Sequence, residues 1–115
     1  MEEIIEVQVN CASEAEAERI AEAVVGERLA ACANIHAPIR SLYHWQGGVE
    51  RAGEVPLVLK TRAALFDALA ARIAALHSYE VPGIIALPVG AVNTAYRDWL
   101  LAETRAPGQA DREAG

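Results

Sequence analysis

Apolar and polar side chains alternate along residues 3–10, where Ile5, Val7 and Val9 are interleaved with polar residues. A period of two is typical of a strand with one buried face, so we predict a strand here. Ser13 and Glu16 follow in the spacing of a capping box, which predicts the start of a helix. The inward face of this helix is predicted from apolar residues at three- and four-residue steps: Ala17, Ile20, Ala21, Val24 and Val25.

The middle of the chain predicts further strands and a second helix. Pro38 interrupts residues 32–43, which favours a bent or edge strand because proline lacks an N–H for the ladder. Gly47 and Gly48 predict a hairpin turn into an antiparallel strand whose residues 55–60 are almost all apolar. Thr61 is predicted to cap the next helix, and His77 to end it. The inward face of that helix comprises Leu65, Phe66, Leu69, Ile73 and Leu76.

The last third predicts a strand over residues 84–89 and a helix capped by Asn93. The order of elements favours an α+β fold: a ferredoxin-like βαββαβ unit with an antiparallel sheet, an extended central hairpin and an extra C-terminal helix. Helices are expected on one sheet face only, which leaves bare edges and an apolar face and favours self-association. We predict one domain over residues 1–105 and a disordered tail over 106–115, where no apolar period is visible.

Charge and cysteine content narrow the function classes. The 115 residues carry 10 Lys and Arg against 16 Asp and Glu, a net charge of −6, which opposes binding to a phosphate backbone. The acidic N-terminus and the lack of an apolar run near about 18 residues predict a cytoplasmic protein without a membrane span. Cys11 and Cys32 are too few for a disulfide framework, so we expect free thiols.

Several segments carry specific motifs, and they run in a fixed order along the chain. They are 27–35 (ERLAACANI), 41–47 (SLYHWQG), 57–61 (LVLKT), 77–82 (HSYEVP) and 85–89 (IALPV). Together they resemble the CutA family of divalent-cation tolerance proteins, from about residue 7 to residue 100. The resemblance implies a ferredoxin-like protomer, a homotrimer similar to the PII signalling proteins, and a link to copper and other divalent ions.

Cys11 and His77 are the candidate metal ligands. Cys11 ends the first strand just before the Ser13 cap, where helix N–H groups would favour a thiolate, although a small packed thiol is the competing interpretation. His77 has the alternative role of a C-terminal helix cap. The family resemblance implies that both are copper ligands; Leu76 stands where relatives often carry a second histidine. His36 and His44 are predicted to be surface or interface residues.

A second candidate site joins Trp45, Lys60, Tyr79 and Glu80, with Tyr43 nearby in sequence. Lys60 would supply charge, Tyr79 a hydroxyl and Trp45 a stacking face for a small anionic or mixed ligand at a subunit junction. The alternative is an interface core, since tyrosine and tryptophan are enriched there. Gly83 stands where many relatives have a glutamate, so a carboxylate is missing.

These observations predict a cytoplasmic homotrimer that binds copper, another divalent cation or a small ligand at subunit junctions. The alternative function is a structural trimer or partner-binding scaffold. We expect no enzymatic activity, because no nucleophile elbow, phosphate-binding glycine loop or HExxH helix occurs in the sequence. A third class, a Cys11-dependent enzyme, requires an unusually acidic thiol.

Overall fold

The alternating and helical periods of the sequence give rise to five strands, one 3₁₀ turn and three α-helices in residues 2–106, the part of the chain that the computed structural model describes. In chain order they are β1 (Ile4–Cys11), α1 (Glu14–Gly26), β2 (Cys32–Ile35), β3 (Ile39–Trp45), β4 (Gly48–Arg62), the 3₁₀ turn (Ala63–Leu65), α2 (Phe66–Leu76), β5 (Ile84–Pro88) and α3 (Thr94–Glu103). The predicted α+β class and C-terminal helix are confirmed.

All strand pairs of the sheet are antiparallel. The order is β2-β4-β1-β5, and β3 also pairs with β4. The two central strands are the most buried: β1 and the stretch 54–62 of β4 are mostly buried, whereas β5 is largely exposed. This order, with helices following β1 and β4, is the predicted ferredoxin-like arrangement.

The central hairpin extends beyond the rest of the sheet. β4 has 15 residues, and β1 ends opposite Val55, so the stretch 48–54 pairs with β3 alone. The turn lies one position earlier than predicted: Trp45 pairs with Gly48, and Gln46 and Gly47 have φ of 48° and 83°. Two consecutive positive φ values are typical of a tight hairpin turn that matches the strand twist.

The main core lies between one sheet face and the helices α1 and α2. Val7 and Val9 of β1 and Leu57 and Leu59 of β4 meet the predicted inward residues of both helices there. Thr61 does not cap α2, which corrects the prediction. It lies in β4, is fully buried and donates its hydroxyl hydrogen to the Leu29 carbonyl at 2.8 Å. The ladder to β1 continues to Arg62, so strand pairing outweighs the capping tendency of threonine.

The expectation that helices cover only one sheet face is wrong. Ile5 belongs to the main core, whereas Ile4 packs with Ala31 and Leu100 of α3 in a second cluster. Successive strand residues point to opposite faces, so α3 covers one end of the second face.

Within residues 2–106 no helix has the length and apolarity to cross a membrane. The predicted tail falls outside the described residues beyond position 106, and the division at 105 stays a prediction.

Candidate metal centre and the adjoining cavity

Three ligand-type side chains meet where β1 ends, α1 begins and α2 ends. The Cys11 thiol, the Glu16 carboxylate and the His77 imidazole each have a donor atom within 4.8 Å of the others. All three residues are buried. The structure therefore brings the two predicted ligands together, and it adds Glu16, which the sequence had indicated only as a helix cap.

Glu16 holds two chain segments together with its two carboxylate oxygens. Oε2 accepts the Ala12 N–H at 2.6 Å, and Oε1 accepts the Ser78 N–H at 2.6 Å. Ser13 Oγ accepts the Glu16 N–H at 3.1 Å, so the capping box forms, with the acid reaching Ala12 rather than the amide of Ser13. Burial alone would raise the pKa of Glu16, but these hydrogen bonds, with a smaller contribution from His77, outweigh burial and lower it.

Both imidazole nitrogens of His77 have hydrogen-bond partners. Nδ1 accepts the Tyr79 N–H at 3.0 Å, so Nε2 carries the proton and donates it to the Asn10 carbonyl at 2.8 Å. The predicted imidazole cap of α2 does not form. Instead, the backbone N–H of His77 bonds the Ile73 carbonyl, and the ring ties the end of α2 to the end of β1.

The expected stabilisation of a Cys11 thiolate is wrong. Burial, followed by the negative charges of Glu16 and Glu54, raises the pKa of Cys11 to about 11. The backbone N–H of Glu16, in the first turn of α1, already donates to Ser13 Oγ, so it does not stabilise a thiolate at Cys11. Cys11 is therefore a protonated thiol at neutral pH, a state that does not suit a catalytic nucleophile.

A cavity of about 650 Å³ adjoins this cluster and extends along β3 of the central hairpin as far as Trp45. Its lining includes Trp45, Tyr79 and Glu80 of the second predicted site, together with Tyr43 and Glu54. Three aromatic side chains and two carboxylates thus share one concave surface. Its volume lies within the range of small-molecule sites, about 300–1,000 Å³.

Glu54 links the cavity to the metal cluster. Its side chain accepts a hydrogen bond from the Tyr79 hydroxyl at 2.7 Å and one from the Asn10 side-chain amide at 3.4 Å. Burial, then the bond to Glu54 and its charge, raise the pKa of Tyr79 well above its usual range. Sequence reasoning missed Glu54, whose only signal was an acid directly before the apolar stretch 55–60.

The structure does not bring Lys60 to this cavity. Lys60 lies six positions along β4 from Glu54, about 20 Å in an extended strand. Its ammonium group donates to Asn34 Oδ1 at 3.1 Å, on the strand β2. His36 is exposed, and His44 lies in the cavity lining.

The sequence segments and the fold lead to one family. Residues 5–103 match the family described as CutA1 divalent ion tolerance protein. This chain belongs to the CutA1 family. The CutA1 chain is 46% identical over 104 residues to the divalent-cation tolerance protein CutA of Thermus thermophilus, covering 90% of this chain and 99% of that protein. The solved structure from that organism matches with a TM-score of 0.84, covering 91% and 100% of the two chains at 46% identity.

Other CutA1 relatives differ in length and in the compartment that their names state. A rice protein named CutA 1, chloroplastic, is 42% identical over 101 residues, which are 88% of this chain but 57% of the rice protein. The structure of an Archaeoglobus fulgidus CutA described as periplasmic has a TM-score of 0.80 at 37% identity, covering 87% of this chain and 95% of that one. The chain thus spans little more than half of the rice relative.

Proposed function

We propose that this CutA1 chain acts in divalent-cation tolerance by binding copper or another divalent cation through Cys11, Glu16 and His77. The observation that carries the proposal is the meeting of a thiol, a carboxylate and an imidazole within 4.8 Å in a buried cluster. Sulfur and imidazole donors suit copper and zinc, whereas the hard ions Mg²⁺ and Ca²⁺ require oxygen-rich sites.

The electrostatics of the cluster favour a cation. The charges of Glu16 and Glu54 disfavour a bare thiolate, and the same two carboxylates attract a positive ion to the position of the thiol proton. Binding must release that proton and exchange the Tyr79 N–H at His77 Nδ1 for the ion. We therefore expect that binding of the cation releases a proton from the protein.

The affinity for Zn²⁺, measured by calorimetry under anaerobic conditions, tests the three proposed ligands. Zn²⁺ has no redox chemistry, so it tests ligation without oxidising the thiol. Replacing a ligand, in Cys11→Ser or His77→Ala, should weaken Zn²⁺ binding by at least about a hundredfold, since even loss of an outer-shell partner gives about 10–100-fold. Cu²⁺ titrations should show the same order of affinities.

Cys32→Ser and His36→Ala are the matched controls, because they remove the same residue types outside the cluster. Both should bind zinc as the wild type does. Identical isotherms for all five proteins would contradict the metal proposal and favour the competing function of a structural trimer or partner-binding scaffold. A melting temperature unaffected by any metal would support that alternative further, because a ligand of the folded state raises it.

We also propose that the protein is a homotrimer, with the cavity and the cluster near subunit junctions. The central hairpin exposes large apolar side chains, and β4 has an unpaired edge along residues 48–54. Ile85 and Leu87 of the edge strand β5 are 56% and 43% exposed. Such surfaces favour association, and the number of subunits follows the family resemblance.

Light scattering after size exclusion tests the assembly. The expected mass is three times the 12.3 kDa of the chain. Placing a charge on the exposed sheet surface, in Ile85→Asp, should lower that mass, because an unpaired charge in an interface is unfavourable. Glu18→Lys, on the exposed side of α1, should leave it unchanged. A wild-type monomer at micromolar concentration would contradict the proposal.

The absence of enzymatic activity and the cytoplasmic location are parts of the same proposal. The raised pKa of Cys11 supports the first, since it opposes a Cys11-dependent enzyme. The cytoplasmic location stays a prediction from the sequence.

A further inference from the structure

The cavity along β3 of the hairpin has a negative charge that no lining residue balances. Glu54 and Glu80 supply two carboxylates, and among the described residues that line it there is no lysine or arginine. His44 is the one lining side chain that can become a cation. The electrostatic complement of this cavity is therefore a positive ligand, in contrast to the anionic or mixed ligand predicted from the sequence.

Of the two carboxylates in the lining, Glu54 is the buried one. It is only 7% exposed, and no lysine, arginine or histidine of residues 2–106 forms an ion pair with it. Its two hydrogen bonds, from Tyr79 and Asn10, use about half of the acceptor positions that a carboxylate offers. A buried carboxylate without a cationic partner is unfavourable, and a bound cation would relieve that penalty.

The aromatic walls indicate an organic cation rather than a metal ion. Tyr43, Trp45 and Tyr79 present π systems, which attract ammonium and guanidinium groups and also contact the carbon atoms of a ligand. A small metal ion requires several ligand atoms around it, and three aromatic rings offer few. The volume of about 650 Å³ also exceeds the space that a bare ion needs.

We propose that this cavity binds an aliphatic amine with two or more ammonium groups. Two carboxylates match two positive charges, and the N–H donors of primary ammonium groups match the remaining acceptor positions of Glu54 and the hydroxyl of Ser41. The alkyl chain between the ammonium groups packs against Trp45 and Tyr43. This site adjoins the Cys11 cluster but contains none of its three proposed ligands, so amine binding does not require a metal there.

The test is a calorimetric titration of the full chain with putrescine, cadaverine and spermidine, in low salt with EDTA present. At least one amine should bind, and 1,4-butanediol, a neutral analogue of putrescine, should not. Glu54→Gln and Trp45→Leu should each weaken amine binding by at least about tenfold, because each removes a charge or a π face from the site. Glu54→Gln keeps an acceptor for the Tyr79 hydroxyl, so the fold is expected to survive.

Three controls distinguish a specific amine site from general charge attraction, from the metal cluster and from loss of the fold. Glu50→Gln removes an exposed acid of the same hairpin outside the lining and should bind the amine as the wild type does. Cys11→Ala should also bind it normally, which distinguishes this site from the metal proposal. Melting curves and light scattering of every variant check the fold and the assembly.

Two results would overturn the proposal. One is equal amine affinity of the wild type, Glu54→Gln and Glu50→Gln, which would mean general attraction to an acidic protein. The other is the absence of binding by all three amines at millimolar concentration to a folded wild type. If Trp45→Leu then also lowers the assembled mass, the aromatic surface belongs to the contact between copies of the chain.

Discussion

Glu16→Ala is expected to lower the free energy of unfolding by about 3 kcal/mol, because two charge-assisted hydrogen bonds disappear in a buried environment. The N–H groups of Ala12 and Ser78 both lose their acceptor, and the starts of α1 and of the loop after α2 lose their connection. Denaturant unfolding at one fixed protein concentration, with EDTA present, measures the change in the absence of metal.

Glu16→Gln should restore less of the lost stability than the similar shape of glutamine and glutamate suggests. The carboxylate accepts one N–H with each oxygen, whereas the glutamine side chain has one oxygen and one NH₂ group. The NH₂ group must therefore face a backbone donor. Glu18→Ala, an exposed position of the same helix, serves as the control and should change stability by less than about 0.5 kcal/mol. Equal stability of Glu16→Gln and the wild type would contradict the two-bond account.

The effect of Glu16 should also depend on pH. Its pKa is lowered in the folded state, below the unfolded value of about 4.3. The stabilisation by the carboxylate is therefore fully present above the unfolded pKa and is lost as the pH falls through the folded one. The difference in stability between wild type and Glu16→Ala should be constant between about pH 6 and about pH 8 and shrink below about pH 4. An undiminished difference in acid would contradict the assigned hydrogen bonds.

Much of the fold follows from short-range patterns in the sequence. The period-two alternation around Val7 and the three- and four-residue spacing around Ile20 and Leu69 place these residues in the core, where the structure has them. Such patterns work because burial of one face is a local property of a strand or helix. Thr61 was misassigned because its place in β4 depends on pairing with Ile5, which is 56 positions away in sequence.

The candidate site was predictable only in part, because its contacts depend on strand register and loop path. Cys11 and His77 were recognised from the family resemblance, and the structure puts them in one cluster with Glu16. The contact between Glu54 and Tyr79 had no local signal, since it arises where the loop after α2 returns to β4. Lys60 was expected at a strand end, but β4 continues through Arg62, which places the lysine beside β2.

A large loss of stability is also expected when Arg62 is replaced. Its guanidinium holds the N-terminus and the end of α3 against β4. The side chain is 7% exposed and donates to both carboxylate oxygens of Glu2, at 2.9 and 3.0 Å. It also donates to Thr104 Oγ1 at 2.9 Å and to the carbonyl oxygen of Leu101. Methionine has a similar length and no donors, so Arg62→Met should lower the free energy of unfolding by about 3–5 kcal/mol.

Arg28→Met is the matched control, because Arg28 also forms an ion pair, with Glu103 at 2.9 Å, but the two side chains are 59% and 43% exposed. Solvent screens this pair, and its loss should change stability by no more than about 1 kcal/mol. A double-mutant cycle of Arg62→Met with Glu2→Gln then isolates the ion pair from the bonds to Leu101 and Thr104. Because Glu2 is partly exposed, the coupling energy should be smaller than the total effect of Arg62→Met. If Arg62→Met and Arg28→Met were equally stable, the guanidinium would not be the link that fastens α3 to the sheet.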